Sequence, residues 1–392
     1  MHAVKVLQKC LASVFDPMHA ARRRVLLGAI EALIRGRRLI LMELARAWPG
    51  AERVRAPLKR LDRLLSNRHL AGETDALYAA MAAWLIRHPR PLIVVDWSAL
   101  QPNGDWHLLR AGIPIGGRTL TVLEAVYPEC QLNSPLAERA FLQRLHALLP
   151  RAVRPILITD AGFRASWFRA VRALGWDYIG RLRHRTLVQL SPGAQWIANR
   201  ALHARARGQA QRFSGALISQ KTPWGCDLVL VKTNCAKTCG RGRRPRRYRK
   251  AERANREPWL LATSVGDLTA AQIVAIYAKR MQIEESFRDL KCDRHGCALH
   301  YSLTRQQPRL AILLLLHALA TFVAWLIALC PGTDTPQRDG GIASRRTPRH
   351  YSLLRLGWER LRRSATTIGC SDLWRVFVAP PRWWLTTLEI PK

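Results

Sequence analysis

The chain has 392 residues, 48% of them hydrophobic, and carries 63 Lys and Arg against 27 Asp and Glu, a formal charge of +36. That length and apolar content exclude a mainly disordered chain and allow one large core with one or two smaller domains. The charge exceeds what solubility needs and points to a polyanionic partner, nucleic acid first, because each phosphate neutralised by Arg or Lys also releases a condensed counterion.

The first 24 residues lack an apolar stretch followed by a small-residue cleavage site, and the nine cysteines are scattered rather than paired at short spacing, so a cytoplasmic protein is expected. Residues 1–88 read as an all-helical domain, with apolar positions at helical spacing through Val25, Leu26, Ile30, Leu33 and Ile34, then Leu58, Leu61, Leu64 and Leu65. Arg22, Arg35, Arg38, Arg53, Arg55, Lys59, Arg60, Arg63 and others crowd its polar faces and suit DNA binding. Residues 89–182 change to an α/β pattern: strands at PLIVVD (91–96), WHLLRAGI (106–113) and RTLTVLEAVY (118–127), a helix from Leu136 to Leu149, a strand in RPILITDAGF (154–163), a helix at ASWFRAVRALG (165–175) and a strand at WDYIGRL (176–182). Residues 183–257 form a basic, β-rich insertion that ends in the Gly/Arg-rich run KTCGRGRRPRRYRK (237–250).

Residues 258–331 resume the α/β pattern with a strand at WLLATSV (259–265), one long helix from Thr269 to Lys291, and the run Leu310 to Cys330, 21 residues without a formal charge. Such a run is long enough to cross a bilayer, yet a helix at the centre of a large domain is also apolar all round. Residues 332–392 begin as a polar loop and end as a helical tail with Trp374, Trp383 and Trp384, a candidate dimerisation element.

Two carboxylates stand at the ends of apolar strands: Asp96 after PLIVV and Asp160 after PILIT. Desolvating a carboxylate is costly, so one at a strand exit caps a helix or binds a cation, and Asp160 before AGF has a fair reading as a cap. Tyr277, Arg280, Glu284 and Lys291 then fall at spacings of three, four and seven, which puts them on one stripe of a helix. Cys292, His295, Cys297 and His300 lie close in sequence, but their spacing matches zinc sites poorly.

These motifs together resemble the DDE transposases of bacterial insertion sequences, in the branch marked by Y-x2-R-x3-E-x6-K, which here reads Tyr277, Arg280, Glu284 and Lys291 without a gap. VVDWS (94–98) and TDAGF (159–163) are similar to the family's contexts for its first two carboxylates, and the likeness extends from about residue 20 to residue 330. The resemblance implies a ribonuclease-H-like mixed sheet flanked by helices, with Asp96, Asp160 and Glu284 both as catalytic residues and as ligands of two Mg2+ ions about 4 Å apart, Mn2+ able to substitute. Glu285 is the rival ligand, but it points about 100° away around a helix.

The resemblance also implies that Arg280 and Lys291 contact phosphates near the cut, that Tyr277 touches the DNA backbone, and that Trp259 stacks on a flipped base. Met281 stands where some relatives carry a second aromatic residue. The implied activity is cut-and-paste transposition: nicking of a 3' end, hairpin formation and opening, and strand transfer. Double-stranded DNA at the transposon-end repeats and at the target would be the partner, bound by a homodimer, with no membrane involved. A catalytically inactive, transposase-derived DNA-binding regulator is the alternative.

Overall fold

The computed structural model describes residues 3–101, 104–183, 186–232, 257–329 and 352–363. They belong to two compact units, one drawn from Met1–Val153 and Met281–Glu389, the other from Arg154–Arg280. The basic run at 237–250, the loop that opens the tail and its three terminal tryptophans lie outside the described residues.

The first unit opens with helices α1 (Ala3–Cys10), α2 (Ala12–Phe15), α3 (Ala20–Gly36), α4 (Leu41–Arg46), α5 (Arg55–Leu65) and α6 (Arg68–Leu85), the run of helices that the apolar spacing predicts. Asn67 caps α6 by accepting the Leu70 N–H at 2.9 Å. Three antiparallel strands follow, β1 (Leu92–Ala99), β2 (Trp106–Pro114) and β3 (Thr119–Pro128). The β2–β3 turn needs its glycines: Gly116 and Gly117 both have positive φ, 79° and 96°, and the Ile115 N–H donates to the Arg118 carbonyl at 2.8 Å. A two-residue turn of this kind twists with its strands and sets their register. Helix α7 (Pro135–Leu148) closes this stretch.

The second unit holds β4 (Ile156–Thr159), α8 (Ala165–Ala173), β5 (Asp177–Leu182), β6 (Leu187–Gln189), β7 (Ile197–Ala198), α9 (Asn199–Leu202), β8 (Gln211–Ile218), β9 (Trp224–Val231), β10 (Trp259–Thr263) and α10 (Ala270–Ala278). Its strands run in the order β4-β5-β10-β9-β8-β6-β7, with β4 and β5 parallel and the remaining neighbours antiparallel. The insertion is β-rich, and it extends this sheet, because β10 pairs with β5 on one side and with β9 on the other. The chain order of three antiparallel strands, helix, strand, helix and strand is the ribonuclease-H-like one.

The chain then returns to the first unit as α11 (Met281–Lys291), α12 (Gln307–Leu329) and α13 (Leu353–Arg363). The single helix expected from Thr269 to Lys291 is therefore two helices, α10 and α11. At the break, the N–H groups of Lys279 and Arg280 donate to carbonyls three residues back, Ile276 at 3.0 Å and Tyr277 at 2.9 Å, which tightens the turn out of the α register. Ala278, Lys279 and Arg280 are all good helix formers, so propensity carries no sign of this break.

Helix α12 is the apolar run that is long enough for a bilayer. Its side chains from Ile312 to Leu329 are buried, packed against α1, α3, α5, α6, β3 and α13. Protein atoms thus cover the surface that lipid would otherwise cover, and α12 is the core helix of its unit.

Candidate active site

The first unit carries Asp96, Glu284 and Lys291. Leu92 to Val95 fill the buried start of β1, and Asp96 is itself 8% exposed. It lies within the strand, not at its exit, because pairing with β2 continues through Trp97, Ser98 and Ala99. One Asp96 carboxylate oxygen accepts the Trp97 N–H at 2.8 Å.

Across the sheet, Asp96 is opposite Arg110 on β2, and Arg110 is opposite Glu124 on β3. Directly opposed residues share a face with Cβ atoms about 4.5–5.5 Å apart, so a carboxylate, a guanidinium and a second carboxylate form one ladder. Arg110 and Glu124 are ion-paired at 1% and 2% side-chain exposure, and the other Glu124 oxygen accepts the Tyr78 hydroxyl at 3.1 Å. Burial raises the Glu124 pKa, and Arg110 opposes the rise.

Helix α11 is bolted to the same three strands. Gln282 accepts the Gly117 N–H at 3.0 Å, Ser286 accepts the Thr119 N–H at 2.8 Å, and Asp289 accepts the Arg118 Nε–H at 2.5 Å. Lys291 reaches β1, its Nζ donating to Ser98 Oγ at 2.7 Å and to the Ala99 carbonyl at 3.3 Å. Burial lowers the Lys291 pKa, Arg110 lowers it further, and Asp96 pulls it back. Glu284 lies seven residues before Lys291, hence on the same stripe two turns earlier, and it is exposed in the first turn of α11. Glu285 is held in ion pairs with Arg288 at 2.7 Å and Arg118 at 3.8 Å.

The second unit carries Asp160, Trp259, Tyr277 and Arg280. Asp160 directly follows β4, at the strand exit as expected, and it accepts the Gly162 N–H at 2.8 Å. It is not the cap of α8, whose N-cap is Arg164. Tyr277 is 3% exposed and meets the half-buried Trp259 ring edge-on, with centroids 4.9 Å apart. Burial raises the Tyr277 pKa, while Arg280, Arg181 and Arg183 lower it and Asp160 raises it. Around this phenol, then, stand three guanidinium groups and one carboxylate. Burial also lowers the Arg181 pKa, as do Arg183 and Arg280, the signature of cations crowded together.

Among the described residues, no three His, Cys, Asp or Glu side chains stand close enough together to hold a metal ion. That statement covers Cys292, His295, Cys297 and His300 as well, and burial pushes the Cys297 thiol up to about 12, far from a thiolate ligand at neutral pH. The donor set of Asp96, Asp160 and Glu284 is all hard oxygen, of the type that Mg2+ and Mn2+ prefer.

A family model described as a transposase DDE domain matches residues 87–322, more than half of the chain. The chain belongs to the transposase DDE domain family. Members of this family are transposases that use divalent metal ions. The match in this transposase covers β1, β4, α10 and α11, and with them Asp96, Asp160, Trp259, Tyr277, Arg280, Glu284 and Lys291. No curated protein matches it significantly. A solved structure, the cryo-electron microscopy structure of a piggyBac transposase synaptic complex with hairpin DNA, is similar at 13% identity with a TM-score of 0.40, covering 98% of this chain and 82% of that one.

Beyond the motif residues, the fold of the transposase brings in Arg181 and Arg183 around Tyr277, and Arg110 and Glu124 beside Asp96. The first two had a signal: spaced two apart at the end of a strand, they share its face, and that face also belongs to the strand after TDAGF. Arg110 and Glu124 gave none, since their pairing depends on the β2–β3 register.

Proposed function

We propose that this transposase moves an insertion sequence by cut-and-paste, cutting and rejoining DNA phosphodiesters with one site per transposon end. The observation that supports the reading is the family match over residues 87–322, a span that includes Asp96 within β1, Asp160 directly after β4 and Glu284 on α11. Asp96, Asp160 and Glu284 would hold two Mg2+ ions, with Mn2+ able to substitute. Such ions, when bound, activate the attacking oxygen and stabilise the leaving one.

The remaining work falls to the chain's own side chains. Arg280, with Arg181 and Arg183 beside it, suits bidentate contact to backbone phosphates, and Lys291 a point contact anchored through Ser98. The half-buried face of Trp259, propped by Tyr277, suits stacking on an unpaired base, worth about 1 to 3 kcal/mol. Tyr277 itself donates to a phosphate oxygen, a role that its raised pKa favours by keeping the phenol protonated. Successive attack by water and by a 3'-hydroxyl would nick the end, form and reopen a hairpin, and join the end to target DNA. Cutting two synapsed ends calls for a homodimer, working in the cytoplasm on the nucleoid.

A regulator that binds DNA without cutting it is the other reading, one that the excess of 63 Lys and Arg over 27 Asp and Glu would serve equally well. Purified protein incubated with Mg2+ and a labelled duplex from the inverted repeats that bracket its gene separates the two. Nicked and hairpin products support the transposase; binding with no nick under any divalent ion supports the regulator.

A further inference from the structure

The cations of the N-terminal helices fall into two sets. Those of α3 and α4 are mostly tied down: Arg22 pairs with Glu73 at 2.7 Å, Arg35 with Glu31 at 2.5 Å, Arg37 with Glu359 at 3.3 Å and Arg46 with Glu43 at 2.6 Å. On α5, by contrast, Arg55, Lys59, Arg60 and Arg63 are exposed, and none has a carboxylate partner among the described residues. The one acidic side chain of the helix, Asp62, is taken by Arg309 at 2.7 Å.

Helical geometry puts those four cations on one face. At about 100° per residue Arg55, Lys59, Arg63 and Arg60 fall within an arc of about 140°, and from Arg55 to Arg63 they span about 12 Å along the axis. The opposite arc holds Pro57, Leu61, Leu64 and Leu65, all buried. Helix α5 packs there against α3, α4 and α12, so its orientation is fixed by its own core contacts. The approach to α5 is pinned too: Trp48, in the turn before it, lies so close to Gly28 of α3 that a β-carbon there would come within 2.6 Å of the indole.

We infer that the cationic face of α5 is the surface of the N-terminal helices that docks on duplex DNA, lying along a groove with its four cations on flanking phosphates. The inference rests on the transposase reading above and names the element within it. A duplex carries one negative charge per about 1.7 Å of axis, and its major groove admits a helix, so both spacing and shape suit this face. An anionic lipid surface suits it less, because the arc that bears the cations offers no large apolar side chain to insert.

The test uses the full chain and a labelled mixed-sequence duplex, with binding measured over a range of salt. Replacing all four cations, Arg55→Gln, Lys59→Gln, Arg60→Gln and Arg63→Gln, should weaken binding at least about tenfold and reduce the slope of log K against log salt by about 3 to 4. The single variant Lys59→Gln should reduce that slope by about 1, and serves if the fourfold variant melts at lower temperature. Replacing two paired cations, Arg35→Gln and Arg46→Gln, should leave the slope unchanged. A fourfold variant that keeps the wild-type slope overturns the assignment to α5 and leaves the transposase reading standing. Wild-type protein that binds no duplex, or prefers phosphatidylserine vesicles to it, overturns both.

Discussion

The β1–α11 region and the β5–α10 region treat charge in opposite ways. Around β1, each buried charge has an internal partner: Arg110 has Glu124, Glu124 also has Tyr78, and Lys291 has Ser98 and the Ala99 carbonyl. Around β5 and α10, Arg181, Arg183 and Arg280 gather about one phenol, with Asp160 acting on the phenol and Glu257 on Arg181. A region of the first kind keeps its shape without a ligand. A region of the second kind crowds guanidinium groups together, and a phosphodiester is an anion suited to such a cluster. Rigid strands with satisfied ladders thus carry Asp96, whereas Arg183 and Arg280 stand close enough to Arg181 to lower its pKa.

The largest expected effect concerns the carboxylates that both regions contribute. Asp96→Ala, Asp160→Ala and Glu284→Ala should each lower strand cleavage by at least about 1,000-fold, roughly 4 kcal/mol of barrier, while duplex binding in a mobility-shift assay stays near wild type. A Glu284→Ala variant that still cuts would remove Glu284 from the ligand set.

Next comes the self-sufficiency of the β1 region. Arg110→Leu leaves Glu124 buried and unpaired, so urea denaturation should show a loss of about 3 to 5 kcal/mol. The double variant Arg110→Met with Glu124→Leu should recover most of it. In the β5–α10 region the same operation should do the reverse: Arg183→Ala should cost little stability, and it should lower the salt slope of duplex binding by about 1. Equal destabilisation by both variants would erase the contrast.

A pH dependence comes from the core of the first unit. His317 on α12 is held near 3, from a usual 6.5, first by burial and then by Arg110. Below pH 6.5 the unfolded chain takes up a proton at this residue that the folded chain refuses, so stability falls as pH drops from 6.5 towards 3, by about 1.4 kcal/mol per unit from this group. His317→Leu should flatten that part of the profile in denaturation series run at several pH values. The smallest effect is expected of Glu285→Ala, which removes partly exposed ion pairs with Arg118 and Arg288, each worth about 0 to 1 kcal/mol, and leaves cleavage intact.

Much of this architecture was legible in the chain. Period-two and period-3.6 patterns marked the strands from Leu92 and the helices before it, Gly116 and Gly117 marked a turn, and the spacing of Tyr277, Arg280, Glu284 and Lys291 marked a helical segment, though as one helix where there are two. What was hidden depends on tertiary placement. The ladder from Asp96 through Arg110 to Glu124 exists only in one strand register, and single positions such as Arg110 look like any strand cation. The break at Lys279 and Arg280 falls in a run of helix formers with no glycine or proline. The apolar α12 is ambiguous by composition alone, since lipid and a protein core reward the same side chains, and its packing against α1, α3, α5, α6, β3 and α13 resolves the choice.

The proposed sharing of divalent ions by Asp96, Asp160 and Glu284 can be tested directly. Loading the full chain with Fe2+ in place of Mg2+ and adding ascorbate and peroxide cuts the backbone next to the bound iron. The account predicts fragments ending near all three of these residues, suppressed together by excess Mg2+. Cuts confined to one of them, or cuts that Mg2+ does not suppress, would contradict it.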